Sequence, residues 1–145
     1  MNKKREYHKV IPAAYIVLIK DNHILLQRRF NTGYEDGLYS LPAGHVEDKE
    51  SFLEAAVREA KEELGIELRH ENLSVVHVTH RKCNDGDRVD VFATATIWEN
   101  EPTIMEATKC DALQWFNLND LPREISPYNK LAIQKIFNKI LFDEI

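Results

Sequence analysis

From Ser51 to Leu64 the chain carries Leu53, Val57, Ala60 and Leu64 at three- and four-residue spacing and then meets Gly65. That is the pattern of an amphipathic helix with a C-terminal stop. Such a helix has one apolar face and must lay it on something. Its neighbours on both sides are rich in β-formers, so a sheet is the natural partner. Val10 to Lys20 is dense in Ile, Val and Tyr and reads as a strand. Asp21-Asn22 then turns the chain, and Ile24 to Arg29 returns as a second strand of a hairpin. Phe30 to Gly44 reads as a loop, holding three of the five glycines and one proline.

Beyond the helix, Leu73 to Arg81 and Arg88 to Trp98 are β-rich and are separated by the turn-prone Asn84-Asp85-Gly86-Asp87. A short strand is expected at Leu113 to Phe116. Pro127 opens a last helix, with Leu131, Ile133, Ile136, Phe137, Ile140 and Leu141 as its apolar face. Strands, helix, strands, helix in that order predict a mixed α/β sandwich with helices on both sides of a mixed sheet. No repeat, low-complexity tract or linker divides the chain. One domain over 1–145 is expected, with 1–7 as a flexible tail.

The net charge of −5 argues against a broad nucleic-acid-binding face, which would need clustered Lys and Arg. Lys3-Lys4-Arg5 is too short for a targeting signal and reads as solvated. No apolar run approaches the ~20 residues that span a bilayer, and the N-terminus lacks a secretory pattern. Cys83 and Cys110 form neither a disulfide framework nor a CxxC pair, so free thiols and a cytoplasmic setting are expected.

The chemistry concentrates on the central helix. Glu59, Glu62 and Glu63 stand at i, i+3 and i+4, so a regular helix projects their carboxylates from one face. They repel one another, and they lie in the C-terminal half, where the helix dipole disfavours anions. A solvated acidic face balanced by Arg58 and Lys61 is the plain reading of these three residues alone. A bound divalent cation would offset both penalties, and hard oxygen ligands suit Mg²⁺ or Mn²⁺.

The wider stretch runs Gly44-His-Val-Glu-Asp-Lys-Glu50-Ser-Phe-Leu-Glu-Ala-Ala-Val-Arg58-Glu59-Ala-Lys-Glu62-Glu63-Leu-Gly65-Ile66. It has Gly, five residues, Glu, seven residues, Arg-Glu, an apolar residue, any residue, Glu-Glu, any residue, Gly and an apolar residue. Seven fixed identities at roughly 7% usage each agree by chance about once in 10⁸ starting points. The stretch resembles the Nudix box, and the chain resembles a Nudix hydrolase over nearly its whole length.

That resemblance implies hydrolysis of a phosphoanhydride in a nucleoside diphosphate derivative, with Mg²⁺ or Mn²⁺ as cofactor. Its implied metal ligands are Glu59, Glu62, Glu63 and the Gly44 carbonyl, with Glu59 or Glu62 nearest the attacking water. Arg58 then orients the carboxylates, and Glu50 pairs with Arg58 and fixes the start of the helix. Glu47 is a further candidate from the loop, and Glu106 and Asp111 compete for the place of an extra acid. Either Arg28 or Arg29 would face phosphate, and strand alternation favours Arg29.

Substrate is less constrained. Phe30, Tyr34, Tyr39 and Tyr128 could stack on a base or pack in the core. The segment Ile125-Ser126-Pro127-Tyr128-Asn129 is placed to touch the base through Tyr128 or Asn129. The run from Trp115-Phe116 to Leu121-Pro122 resembles relatives that act on nucleoside triphosphates, giving monophosphate and pyrophosphate. A nucleotide-sugar such as ADP-ribose is the alternative substrate. A non-enzymatic nucleotide-sensing module is the competing class, although all the box glutamates are present here. The expected partner is a small nucleotide, without nucleic-acid polymer or membrane, and the chain would act as a monomer or homodimer.

Overall fold

The computed structural model describes residues 3–145, and residues 3–10 run as exposed chain without regular structure. The first two residues of the expected tail lie outside the described residues. Strand β1 (Ile11–Lys20) turns into β2 (His23–Arg29) through Asp21 and Asn22, at φ of 50° and 60°. Two such residues give a hairpin turn whose twist matches the strands it joins.

After β3 (Tyr39–Ser40) and β4 (Ala43–His45) comes helix α1 (Phe52–Glu59), which passes directly into a π turn over Ala60–Leu64. Then follow β5 (Ser74–Arg81), β6 (Arg88–Ala95), β7 (Cys110–Asn117), α2 (Pro127–Phe137) and β8 (Phe142–Glu144). The strands form a path β3-β2-β1-β6-β5-β8, with β4 joined to β1 and β7 to β2. β1 and β6 run parallel, as do β5 and β8, while the other pairs are antiparallel.

β1 is the spine of the fold, because its alternate side chains feed both layers. Ala14, Ile16 and Leu18 pack against Ala55, Ala56, Ala60 and Leu64 on the α1 side. Val17 joins Phe92, Ile125, Ala132 and Ile133 on the α2 side. The mixed sheet between helices is therefore as the element order predicts. Among the described residues no helix is long and apolar enough to cross a membrane.

The expected face of Leu53, Val57, Ala60 and Leu64 does pack on the sheet, and three local features add to or differ from the expectations. Small Ala55 and Ala56 hold the most buried places on α1, with Leu53 and Val57 only partly buried around them. Alanines let the helix lie close to the sheet. Second, α2 stops at Phe137, so Ile140 and Leu141 are not on a helix face. Lys139 takes a positive φ of 56°, and the chain turns back as β8, leaving Leu131, Phe137, Ile140 and Leu141 exposed. What holds that return is buried His77, whose Nδ1 donates to the Ile140 carbonyl at 2.7 Å and whose Nε2 lies 3.1 Å from Asp143. Third, the loop from Phe30 to Gly44 contains β3 and β4, and the strand at Leu113 to Phe116 extends over Cys110–Asn117. Short strands without an apolar alternation of their own are made by their neighbours' backbones.

Candidate active site

Ser51 caps α1, its hydroxyl accepting the Glu54 N–H at 3.1 Å. Just before it, Glu50 accepts from Arg58 Nε at 2.7 Å and Nη2 at 2.9 Å, and from the Glu47 N–H at 3.0 Å. These charge-assisted bonds lower the Glu50 carboxyl to about 2. Arg58 also donates to Glu59 at 2.7 Å, to Glu62 at 3.2 Å and to the His45 carbonyl at 3.0 Å. One guanidinium thus ties the loop before the helix to the acids on it, and those anions push its own pKa up. The contact between Glu50 and Arg58 is the pairing expected from the sequence.

The three glutamates differ in exposure, although their charges act on one another. In the π turn the Gly65 N–H reaches back to the Ala60 and Lys61 carbonyls, and this wider winding rotates the residues after Glu59 out of α-helical register. Glu59 lies against Arg58 and Gly44, Glu62 is half exposed, and Glu63 is turned inward. Among the described residues no three acidic, His or Cys side chains are gathered as a ready-made metal cage.

The donor set nonetheless suits a hard divalent cation. Glu63 Oε2 is buried without a hydrogen-bond partner. Desolvation, followed by repulsion from Glu59 and Glu106, pushes the Glu63 carboxyl up to about 8. Burial also raises the Glu59 carboxyl, and Glu62 and Glu106 add repulsion that Arg58 opposes. A cation would relieve each of these costs, and the residues that would hold it are Glu59, Glu62, Glu63 and the Gly44 backbone. Gly44 matters for a steric reason: a Cβ there would lie 2.1 Å from the Glu59 carboxyl carbon.

The same burial makes metal-free stability depend on pH. A carboxyl whose folded pKa is raised binds its proton more tightly when folded. Its stabilising contribution is complete below the unfolded value near 4.5 and is lost as pH rises through about 8. Glu63→Gln is therefore expected to flatten the fall in melting temperature across that window and to melt several degrees higher at its upper end, for a difference of roughly a few kcal/mol. Thermal melts of metal-free wild type and variant check this. Parallel pH profiles would remove Glu63 as the source.

Two cavities share Glu63, the one of the three glutamates that lines either of them. The larger, about 560 Å³, includes Glu63, Arg29, Tyr34, Tyr15, Arg81, Tyr128 and Asn129 in its wall. The smaller, about 350 Å³, shares Gln27, Arg29 and Glu63 and adds Glu106 and Lys109. A register shift in the pairing of β2 with β7 between Arg28 and Arg29 separates the two arginines. Arg28 makes a two-point pair with Asp111, at 2.7 and 3.2 Å, and neither lines these cavities. Arg29 lines both, braced on the Tyr34 carbonyl at 2.7 Å and on Thr32 at 3.0 Å. Glu106, not Asp111, lies near the cluster, where it lines the smaller cavity and repels Glu63. The Met105 and Thr103 N–H groups bind the Glu63 and Leu64 carbonyls and so anchor its loop.

Other candidates fall elsewhere. Tyr39 packs edge-on against Phe116 in the core, while Phe30 is exposed and lines neither cavity. Glu47 stays largely exposed, 3.7 Å from Arg58. Tyr128 does line the larger cavity. Asn129 sits in its wall, but its amide is already engaged, accepting the Leu41 N–H at 3.0 Å and donating to Ser126 at 3.1 Å. It secures the wall and keeps one N–H free of those two bonds. Both cysteines are free.

Similarity to known proteins follows this geometry. The NUDIX domain family model matches residues 9–136. This chain belongs to the Nudix family. The Nudix chain is 30% identical over 135 residues to the ADP-ribose pyrophosphatase of Methanocaldococcus jannaschii, covering 89% of this chain and 78% of that protein. It is 28% identical to the NAD-capped RNA hydrolase NudC of Pseudomonas entomophila over 81% of its own length, but spans only 40% of that relative. The crystal structure of a MutT NUDIX hydrolase from Burkholderia pseudomallei superposes with a TM-score of 0.79 at 29% identity, covering 88% of this chain and 98% of that one.

Sequence reading missed Tyr15, Arg81 and Asp90. One signal was available: Asp90 interrupts a run of strand-forming residues with a charge, and the strand buries it completely.

Proposed function

We propose that this Nudix hydrolase is a pyrophosphohydrolase that cleaves a nucleoside triphosphate to monophosphate and pyrophosphate. The supporting observation is the meeting of the two cavities at Glu63 and Arg29. A substrate lying across that junction would place its phosphates beside the carboxylates and its nucleoside in the larger cavity, whose volume suits a small ligand. Bound Mg²⁺ or Mn²⁺ supplies neutralisation of the non-bridging phosphate oxygens.

The remaining work falls to the chain's own groups. Arg29 faces the phosphates. Arg58, held by Glu50, keeps the carboxylates of Glu59 and Glu62 in place. Water attacks one phosphorus, the bridging P–O bond breaks toward pyrophosphate, and Glu59 or Glu62 takes the proton. Tyr128 offers a face to the base, and Asn129 keeps the wall beside it in position.

The similarity to an ADP-ribose pyrophosphatase over most of its length supports a second reading, in which a nucleotide-sugar occupies the same junction. A bifunctional NMN adenylyltransferase/ADP ribose pyrophosphatase of the same fold, from Francisella tularensis, was crystallised with AMP and a Mn ion. The acidic charge of the chain favours a small substrate over a polymer, and two free thiols suit the cytoplasm.

The deciding experiment is hydrolysis by purified protein of a panel of nucleoside triphosphates and ADP-ribose, with chelator and with millimolar Mg²⁺. Turnover is expected only with metal, and the protein is expected to stay folded without it. Hydrolysis that survives chelator would reject the mechanism. Cleavage of ADP-ribose alone would select the second reading.

A further inference from the structure

β5 brings Arg81 and the start of α2 brings Tyr128 into the wall of the larger cavity, and β6 places buried Asp90 behind them. The Arg81 guanidinium carbon lies over the Tyr128 ring, 4.1 Å from its centre, in a cation–π contact. Tyr128 in turn donates its hydroxyl to Asp90 Oδ2 at 2.5 Å. Arg81 Nε lies 2.8 Å from the same oxygen, close as an ion pair but off the hydrogen-bonding direction. Arg81 Nε and Asp90 Oδ1 are both buried with no hydrogen-bond partner. Asp90 itself is fully buried. Asp90 lies behind the cavity wall and holds the Nε edge of Arg81, so the guanidinium that lines the cavity is fixed in place for a ligand.

The charge balance says which kind of ligand. Arg29 and Arg88 in the wall are matched by Glu35 and Asp85, which leaves Arg81. Asp90 neutralises Arg81 from behind, and Arg88 is occupied by Asp85 through two bonds. A second phosphate would find no net positive field here. A neutral group with two adjacent acceptors would find a planar donor fork already laid on an aromatic face. The O6 and N7 atoms of a guanine-type purine form such a pair, whereas adenine presents an amino donor in place of O6.

We infer that Arg81 is a specificity-determining residue that reads the O6/N7 edge of a 6-oxopurine base, and that Asp90 is the residue that positions it. This rests on the larger cavity being the nucleoside site of the proposed hydrolase.

The test is equilibrium binding of GMP, IMP, AMP and CMP to wild type, Arg81→Lys and Asp90→Asn by titration calorimetry, with melting curves to confirm folding. Wild type is expected to bind GMP and IMP about tenfold or more tighter than AMP or CMP. Arg81→Lys keeps the charge but loses the fork, and is expected to bring the four ligands within about threefold of one another. Asp90→Asn keeps an acceptor for Tyr128 but loses the ion pair, and is expected to weaken GMP and IMP while leaving AMP near its wild-type affinity. A merely structural role would weaken all four alike and would overturn the assignment of Asp90.

Should Asp90→Asn fail to fold, Arg81→Lys alone carries the test. Equal wild-type affinity for GMP and AMP, tighter binding of CMP, or a preference that survives in Arg81→Lys would overturn the inference. Monophosphate binding needs no turnover. A protein that prefers GMP but cleaves nothing would keep the inference and fail the proposed activity, and one that cleaves every triphosphate alike would do the reverse.

Discussion

Replacing Glu62 with Gln is expected to lower turnover at least about a hundredfold while the fold survives, the scale typical of losing a catalytic carboxylate or a metal ligand. The position separates function from stability unusually well. The Glu62 side chain is 51% exposed, and its one ion pair, to Arg58 at 3.2 Å, is an i,i+4 contact at the surface. Pairs of that kind stabilise by about 0.3–0.5 kcal/mol. Against that small loss, the change removes repulsion on Glu59. The melting temperature of the metal-free variant is therefore expected to match or exceed wild type. Steady-state turnover at saturating Mg²⁺, read beside a thermal melt, checks both halves. Near-normal turnover would show that Glu62 is only a solvated acid on the helix.

Gly44→Ala is expected to have a comparable effect by another route. The added methyl would overlap the Glu59 carboxyl group, with its carbon and Oε1 each 2.1 Å away. The obstructing atoms end a flexible side chain, so the backbone keeps its path and Glu59 is displaced. β4 pairs with β1 through backbone bonds, including Gly44 opposite Ala14, and those bonds do not need a glycine. The expected result is a folded protein with turnover lowered about a hundredfold and weakened Mg²⁺ affinity, because ligand geometry around a small cation is demanding. Mg²⁺ titrations of activity and of melting temperature measure it. A variant with wild-type metal dependence would mean that Glu59 does its work from another rotamer.

The helix over the box, its start at Ser51 and its stop at Gly65 were legible because capping and apolar spacing are local properties. The pairing of Glu50 with Arg58 was legible for a different reason, through the resemblance to a motif of fixed spacing. The arginine facing the cavity was legible only in part. Alternation favoured Arg29, while the register shift opposite Cys110 and the bond from Arg28 to Asp111 come from β7, some 80 residues later in the chain. The same partner strand explains why Asp111 is drawn to Arg28 while Glu106 lies beside Glu63. The apolar residues from Leu131 to Leu141 were read as one helix face because their spacing is helical. The bonds that turn the chain back at Lys139 belong to His77 on a distant strand.

The sequence by itself determined the layered architecture and the central helix, which rest on periodicity, and through resemblance to a contiguous motif it named the residues proposed to hold a cation and move a proton. Only the tertiary structure decided that Glu63 turns inward and that Arg81, Asp90, Tyr15 and Tyr128 meet at the wall of a cavity. Those four come from β5, β6, β1 and α2, and parallel pairing of β1 with β6 sets Tyr15 opposite Phe92, two residues from Asp90. Register between strands far apart in the chain is a property of the whole packed sheet. It is set by burying one face of each strand at once, and no window of sequence contains it.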